Sequence, residues 1–118
     1  MGVGFRPITV ETALWDLAAK QIGLPLYKVL GGESPEVRAY ASTLDFHLSD
    51  QQFREKLENF HQLGFRAVKI KVGHPDLQWD LRRMGIAVEV MGQGQPLMID
   101  ANEAWSVKET MLRMHAYR

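Results

Sequence analysis

Lys69-Ile70-Lys71 places two ammonium groups one residue apart inside a run of β-formers. In a strand, alternate side chains share a face, so Val68, Ile70 and Val72 point one way and both lysines the other. Two ammonium groups held close in a partly dry site repel, and desolvation adds to the effect. Both favour a neutral amine, which can act as a base near neutral pH. The same pattern also serves as a pair of solvent-facing lysines guarding a strand edge. One unit later, Asp100 and Asn102 share a face at the end of Leu97-Met98-Ile99-Asp100. A carboxylate there can bind a divalent cation, and the amide can orient a substrate oxygen. Alternatively the two belong to a turn in which Asp and Asn bond their own backbone. Asp45 and His47 follow an earlier strand, where they either contact substrate or belong to a capped loop before Ser49. His61, His74 and His115 show no metal-ligand spacing. No phosphate loop or nucleophile elbow is present.

The elements that must position these groups repeat. Val37–Thr43, Ala67–Val72 and Pro96–Ala101 read as strands. Their starts recur at a spacing of about 30 residues, the length of a strand-helix unit with short turns. Between them lie two helices. The first opens on a Ser49/Gln52 capping box, carries Phe53, Leu57 and Phe60 at helical spacing, and stops at Gly64. The second opens at Pro75-Asp76, shows an apolar stripe of Leu77, Leu81, Met84 and Val88, and ends at Gly92. A third helix starts from a Ser106/Glu109 capping box, with Met111 and Met114 beginning its stripe. Strand, helix, strand, helix implies parallel strands with right-handed crossovers. Eight such units would fill roughly 240 residues, close to a TIM barrel core. Three are present, so the expected fold is α/β, three βα units of an incomplete TIM-type barrel. In that geometry the lysine pair and the Asp100/Asn102 pair meet at the C-terminal mouth, where barrel enzymes place their catalytic groups. An open doubly wound sheet is the rival, but Thr43-Leu44-Asp45-Phe46-His47 lacks the glycine-rich turn it would carry. The first 36 residues break the rhythm. Thr9 can cap a helix whose Val10, Ala13, Leu14, Leu17 and Ala18 lie toward one side, ending near Gly23, and Leu24-Pro25-Leu26 interrupts it.

Composition narrows the function classes. The 118 residues carry 14 Lys+Arg against 14 Asp+Glu, with no cysteine and 46% hydrophobic residues. A neutral chain lacks the electrostatic footprint of a nucleic-acid or acidic-membrane binder. Disulfides and thiolate metal sites are excluded. No apolar run reaches the roughly 20 residues of a membrane helix. The opening residues lack a signal-peptide core, so the expected setting is soluble and cytoplasmic.

Three ordered motifs then carry a family likeness. Ala13-Leu14-Trp15-Asp16-Leu17-Ala18-Ala19-Lys20, with Gly23-Leu24-Pro25-Leu26-Tyr27 and Leu30-Gly31-Gly32, resembles the end of the capping domain in the enolase superfamily, in its mandelate racemase and muconate lactonizing enzyme branch. Gly64-Phe65-Arg66-Ala67-Val68-Lys69-Ile70-Lys71-Val72-Gly73 resembles that branch's second barrel strand with its Lys-x-Lys motif. Met98-Ile99-Asp100-Ala101-Asn102-Glu103-Ala104-Trp105 resembles its third strand. The resemblance implies residues 1–36 as the helical end of an α+β capping domain and residues 37–118 as the N-terminal part of the barrel. It implies Lys71 as the base that moves the proton α to a carboxylate, with Lys69 beside it contacting that carboxylate. It implies Asp100 as a Mg²⁺ ligand and Asn102 as a contact to a substrate hydroxyl. The partner is then a small-molecule carboxylate, with sugar-acid dehydration as the reaction, and racemisation, epimerisation or cycloisomerisation as the alternative. The assembled enzyme is expected to be a homo-oligomer. The family's further acidic ligands stand on later strands than these three, so a segment inactive on its own is expected. A non-catalytic truncated product is the competing reading from another class.

Overall fold

A computed structural model describes residues 8–42 and 44–117, and of Ile8 only the backbone. Eight elements follow in the order α1 (Ile8–Gln21), α2 (Leu26–Val29), β1 (Ala41–Ser42), α3 (Asp50–Gln62), β2 (Val68–Lys71), α4 (Leu77–Met91), β3 (Leu97–Asp100) and α5 (Val107–Ala116). The chain divides into two units, the first ending at Arg38 and the second beginning at Ala39.

The first unit is helical. Thr9 lies inside α1, not at its cap, because the helix already includes Ile8. Val10, Leu14 and Leu17 of the expected stripe are each about half exposed, while Ala19 is buried. Pro25 stands at the N-cap of α2, where its missing N–H removes a donor the helix could not have satisfied.

The second unit is a three-stranded parallel sheet ordered β1-β2-β3. β2 sits at its centre. Its alternation is as expected: Val68, Ile70 and Val72 are buried, while Lys69 and Lys71 face the other side. The aliphatic face packs with Phe53 and Leu57 of α3 and with Ala87 and Met91 of α4. Fully burying a side chain such as Ile70 or Leu57 stabilises the fold by about 1.5–3 kcal/mol. Ser49 caps α3 with both halves of the capping box, and Asp76 caps α4 by accepting from Gln78 N–H. Ser106 caps α5 by accepting from Glu109 N–H.

Three expectations about these elements change. Among the described residues β1 spans only Ala41–Ser42, with Thr43 of the expected strand lying outside them, and Val37 at its expected start is 87% exposed. Its described pairs with β2 are Ala41↔Val68 and Ser42↔Lys69. The face of α4 turned to the core is not the Leu77-Leu81-Met84-Val88 stripe. It is Asp80, Arg83, Ala87 and Met91, which recur at i, i+3, i+7 and i+11. Of the apolar stripe, Leu81, Met84 and Val88 instead line a groove toward Ala116 and Tyr117 near the end of α5. Likewise α5 buries Arg113, with Met111 and Met114 exposed. Both helices turn charged residues inward because those charges are paired, which makes their burial tolerable.

Candidate active site

The C-terminal ends of β2 and β3 bring Lys69, Lys71, Asp100 and Asn102 together. Register Lys71↔Asp100 sets the two side chains on the same level of adjacent strands. Lys71 Nζ donates to Asp100 Oδ2 at 2.8 Å and to Asn102 Oδ1 at 2.9 Å. Lys69 Nζ reaches the same Asp100 Oδ2 at 2.9 Å. The Lys71 side chain is 13% exposed, against 30% for Lys69 and 25% for Asp100. Lys71 also lines a cleft of about 290 Å³ together with Phe46, Gly73, Ala101, Asn102 and Ala104.

The carboxylate between the lysines decides the electrostatics. Donation from Lys71, then from Lys69 and from the Asn102 N–H, holds the Asp100 carboxyl well below the usual carboxylate range. At Lys69 the sequence-based expectation of mutual depression is reversed. Its hydrogen bond to Asp100, with the charge attraction beside it, pushes it above the ordinary lysine value and outweighs the desolvation that would lower it.

The turn after β3 combines both readings of its sequence. Asp100 Oδ1 accepts the Asn102 N–H at 2.9 Å, an Asx turn, while Oδ2 serves the lysines. Asn102 and Glu103 both have left-handed backbone, at φ 46° and 62°. Asparagine tolerates that conformation, whereas an ordinary residue loses about 1–2 kcal/mol there. The Ala104 N–H to Ala101 carbonyl bond at 2.9 Å closes the turn. This geometry points Asn102 back at Lys71 and leaves Glu103 exposed.

The loop after β1 behaves differently from expectation. His47 is exposed, as a rim residue can be. Asp45 is 1% exposed, and its oxygens lie 3.3 and 3.4 Å from the backbone N–H of Lys71. A substrate contact requires an accessible carboxylate, so the expectation of one at Asp45 is corrected to an internal role. Burial pushes the Asp45 carboxyl upward, against the lowering effects of the Lys71 amide and the nearby Arg83.

Two supports were not visible in sequence. Arg83, 2% exposed, is sandwiched between Phe53 and Trp79 rings at 4.4 and 4.5 Å and donates to the Leu48 carbonyl. Its Nε lies 3.0 Å from Asp50 Oδ1 but out of line for a hydrogen bond. Trp79 continues the stack onto His74 at 4.9 Å and Phe46 at 4.8 Å, which fixes Phe46 beside the cleft. Asp80, fully buried, accepts from Gly73 and His74 N–H, from Arg113 Nη1 at 3.1 Å and from Tyr117 Oη at 2.8 Å. Arg113 in turn donates to the His74 and Pro75 carbonyls. The loop after β2 is thereby pinned by its amides and by its carbonyls. The sequence signal was an acid and a base three apart, followed by Ala87 and Met91 on the same helical face.

Among the described residues no group of three or more His, Cys, Asp or Glu side chains could hold a metal ion. Asp100 is one ionised oxygen donor, and Mg²⁺ takes six ligands, so these residues supply one ligand and not a site. Among the described residues no helix is long and apolar enough to cross a membrane.

Known proteins are similar to this chain in sequence and in fold. The sequence model of the family described as enolase C-terminal domain-like matches residues 52–118. A 3,6-anhydro-α-L-galactonate cycloisomerase from Streptomyces coelicolor is 42% identical over 83% of this chain and 27% of its own length. The crystal structure of a racemase from Streptomyces coelicolor A3(2) with bound magnesium superposes with a TM-score of 0.84 at 39% identity, covering 91% of this chain and 32% of that one. The L-talarate dehydratase from Polaromonas sp. JS666, complexed with Mg and L-glucarate, gives 0.78 at 34% identity, covering 89% and 30%. The chain thus spans about a third or less of the length of these relatives. With the family model covering more than half of it, and with relatives of this kind along most of its length, the chain belongs to the enolase superfamily, in the mandelate racemase and muconate lactonizing enzyme family.

Proposed function

We propose that this segment supplies the proton-abstracting side of a Mg²⁺-dependent active site that dehydrates a sugar acid. The observation that carries the reading is the Lys71 ammonium, largely shielded, lining the cleft and aimed by Asp100 and Asn102. In this reading the sheet is the first three strands of a (β/α) barrel, residues 1–36 end a capping domain, and the mouth of the barrel holds the substrate carboxylate.

Lys71, as the free amine, takes the proton from the carbon α to the substrate carboxylate. The C–H electron pair moves into the carboxyl group to give an enolate-like species. The β-hydroxyl then leaves as water with the proton that Lys71 took up, which restores the free amine and gives the enol of a 2-keto-3-deoxy acid. Lys69 swings from Asp100 to the substrate carboxylate, Asn102 orients a hydroxyl, and exposed His47 contacts the distal part of the substrate. Asp100 would be one of the ligands of Mg²⁺, which when bound would supply positive charge to stabilise the enolate oxygens; the Lys-plus-magnesium pairing is a known pattern of this superfamily. Relatives named for a galactonate derivative and for L-talarate support a polyhydroxy acid as substrate.

The test is deuterium wash-in at the α-carbon of a panel of sugar acids, using the full-length protein with Mg²⁺. Lys71→Ala should slow exchange on one face by on the order of 10²–10⁴-fold, the usual contribution of a positioned base. Undiminished exchange on that face would refute the assignment. The likeness to the cycloisomerase favours ring opening of an anhydro sugar acid as a second reading. Product analysis separates the two, because only dehydration of an open-chain acid releases water.

A further inference from the structure

Asp45 combines the burial of a core residue with a place at the rim. The ladder explains what it does there. In β2 the amides of Val68 and Val72 donate to Pro96 and Asp100 on the β3 side, so the alternate amides, Lys71 included, face β1. Among the described residues, β1 pairs with β2 at Ala41↔Val68 and Ser42↔Lys69. The Asp45 carboxylate lies against that side of β2, its oxygens 3.3 and 3.4 Å from the Lys71 N–H. A buried amide needs an acceptor, and a side-chain carboxylate oxygen can serve as one. Behind it, Arg83 holds the Leu48 carbonyl and sits between the Phe53 and Trp79 rings, so the segment that carries Asp45 is itself anchored.

We propose that Asp45 is a positioning residue for Lys71: by accepting the Lys71 N–H it steadies the backbone from which the Lys71 side chain reaches Asp100 and Asn102. It is not a catalytic residue, since its carboxylate is buried and bonded to main chain. The inference rests on Lys71 being the base. Loss of the Asp45 acceptor displaces the Lys71 amine more than Lys69, two residues earlier and itself held by Asp100, so turnover suffers more than affinity. Misplacement of a reacting group by about 1 Å can cost on the order of 100-fold in rate.

The experiment compares Asp45→Ala and Asp45→Asn in the full-length protein by steady-state kinetics and amide hydrogen exchange. Asp45→Ala should lower kcat by on the order of 10- to 100-fold with KM little changed. Its Lys71 amide should exchange faster, while the Val72 amide, bonded to Asp100, keeps its protection. Asp45→Asn retains an acceptor and should recover most of kcat and of the Lys71 protection. A raised KM with unchanged kcat would make Asp45 a substrate contact and overturn the proposal. So would equal losses in both variants, or an unchanged Lys71 amide. Should wild type and Lys71→Ala exchange the α-proton equally, the base assignment fails instead, and the amide data still decide whether Asp45 anchors β2.

Discussion

Two carboxylates in the second unit each collect cationic partners, and they do opposite work. Asp100 stands at the tip of β3 with a quarter of its side chain exposed, and two lysines share one of its oxygens. Asp80 stands in α4 with no exposure, and its partners are two backbone amides, a guanidinium and a phenol from separate parts of the unit. Lysine ammonium groups are hydrated points on flexible stems, and can leave Asp100 for a substrate or a metal-bound neighbour. Arginine's planar fork and main-chain amides cannot leave Asp80 without unpairing groups that water does not reach. The contrast teaches that a charged cluster built for chemistry is only loosely closed, whereas one built for architecture is fully satisfied. Burial and the bond to Asp80 push the Tyr117 hydroxyl up to about 12, so this partner stays a donor across the whole working range.

The largest effect should separate the two clusters by stability. Asp80→Ala leaves Arg113 and two amides without their acceptor, and removing one partner of a buried pair costs about 3–5 kcal/mol. Urea denaturation of the full-length protein reads that loss as a lower midpoint. Asp100→Ala should shift the midpoint far less, because the freed lysines return to water. Equal shifts would erase the distinction.

Gly73 belongs to both clusters and should give the next largest effect. Its N–H donates to Asp80, and it follows β2 at φ 110°, a conformation that L side chains rarely adopt. A Cβ there would lie 3.2 Å from Ala104 Cβ, on the wall of the cleft. Gly73→Ala should therefore destabilise by about 1–3 kcal/mol, the cost of holding an ordinary residue in a sparsely populated conformation. Gly85 is the control: it lies inside α4, and a Cβ there meets nothing within 4 Å. Gly85→Ala should stabilise by about 0.5–1 kcal/mol through helix propensity. Thermal unfolding of the two variants side by side checks the sign of each.

How far sequence carried depends on which of these clusters is asked about. The rim was legible because period-two alternation in β2 assigns both lysines to one face with no knowledge of their partners, and because the strand repeat sets Asp100 level with Lys71. The Ser49/Gln52 box was legible because its chemistry is local. The Asp80 cluster was not, since a search for apolar periodicity passes over Asp80, Arg83 and Arg113 by residue type. It therefore selected Leu77-Leu81-Met84-Val88, a face of α4 that in large part fronts a groove toward α5 and not the sheet. Burial of a charge depends on a partner thirty or more residues away, as Arg113 is from Asp80, and no local window contains it. Asp45 was placed correctly in the chain order but assigned to the wrong side of the surface for the same reason.

The smallest effect concerns pH, and it tests whether the rim is as loosely closed as its geometry implies. Asp100 is held below its ordinary value of 3.8 by the lysines, so its contribution to stability is complete above that value and is lost as pH falls below it. Lys69 is raised above 10.5 by the same contact, so its contribution is complete below that value and is lost as pH rises beyond it. Between the two the cluster should add a flat, modest increment. Asp45, raised by burial, has the opposite sign from Asp100: its contribution is present in acid and declines as pH rises through its native value. Single-pH stabilities mix these trends, whereas the difference between wild type and Asp100→Asn isolates the rim. That difference, from urea midpoints across the acid, neutral and alkaline ranges, should be widest on the plateau and narrow toward both ends. A difference that stays constant with pH would mean that the lysines and Asp100 are neighbours without electrostatic coupling. The carboxylate would then have to be poised for its role by groups other than Lys69 and Lys71.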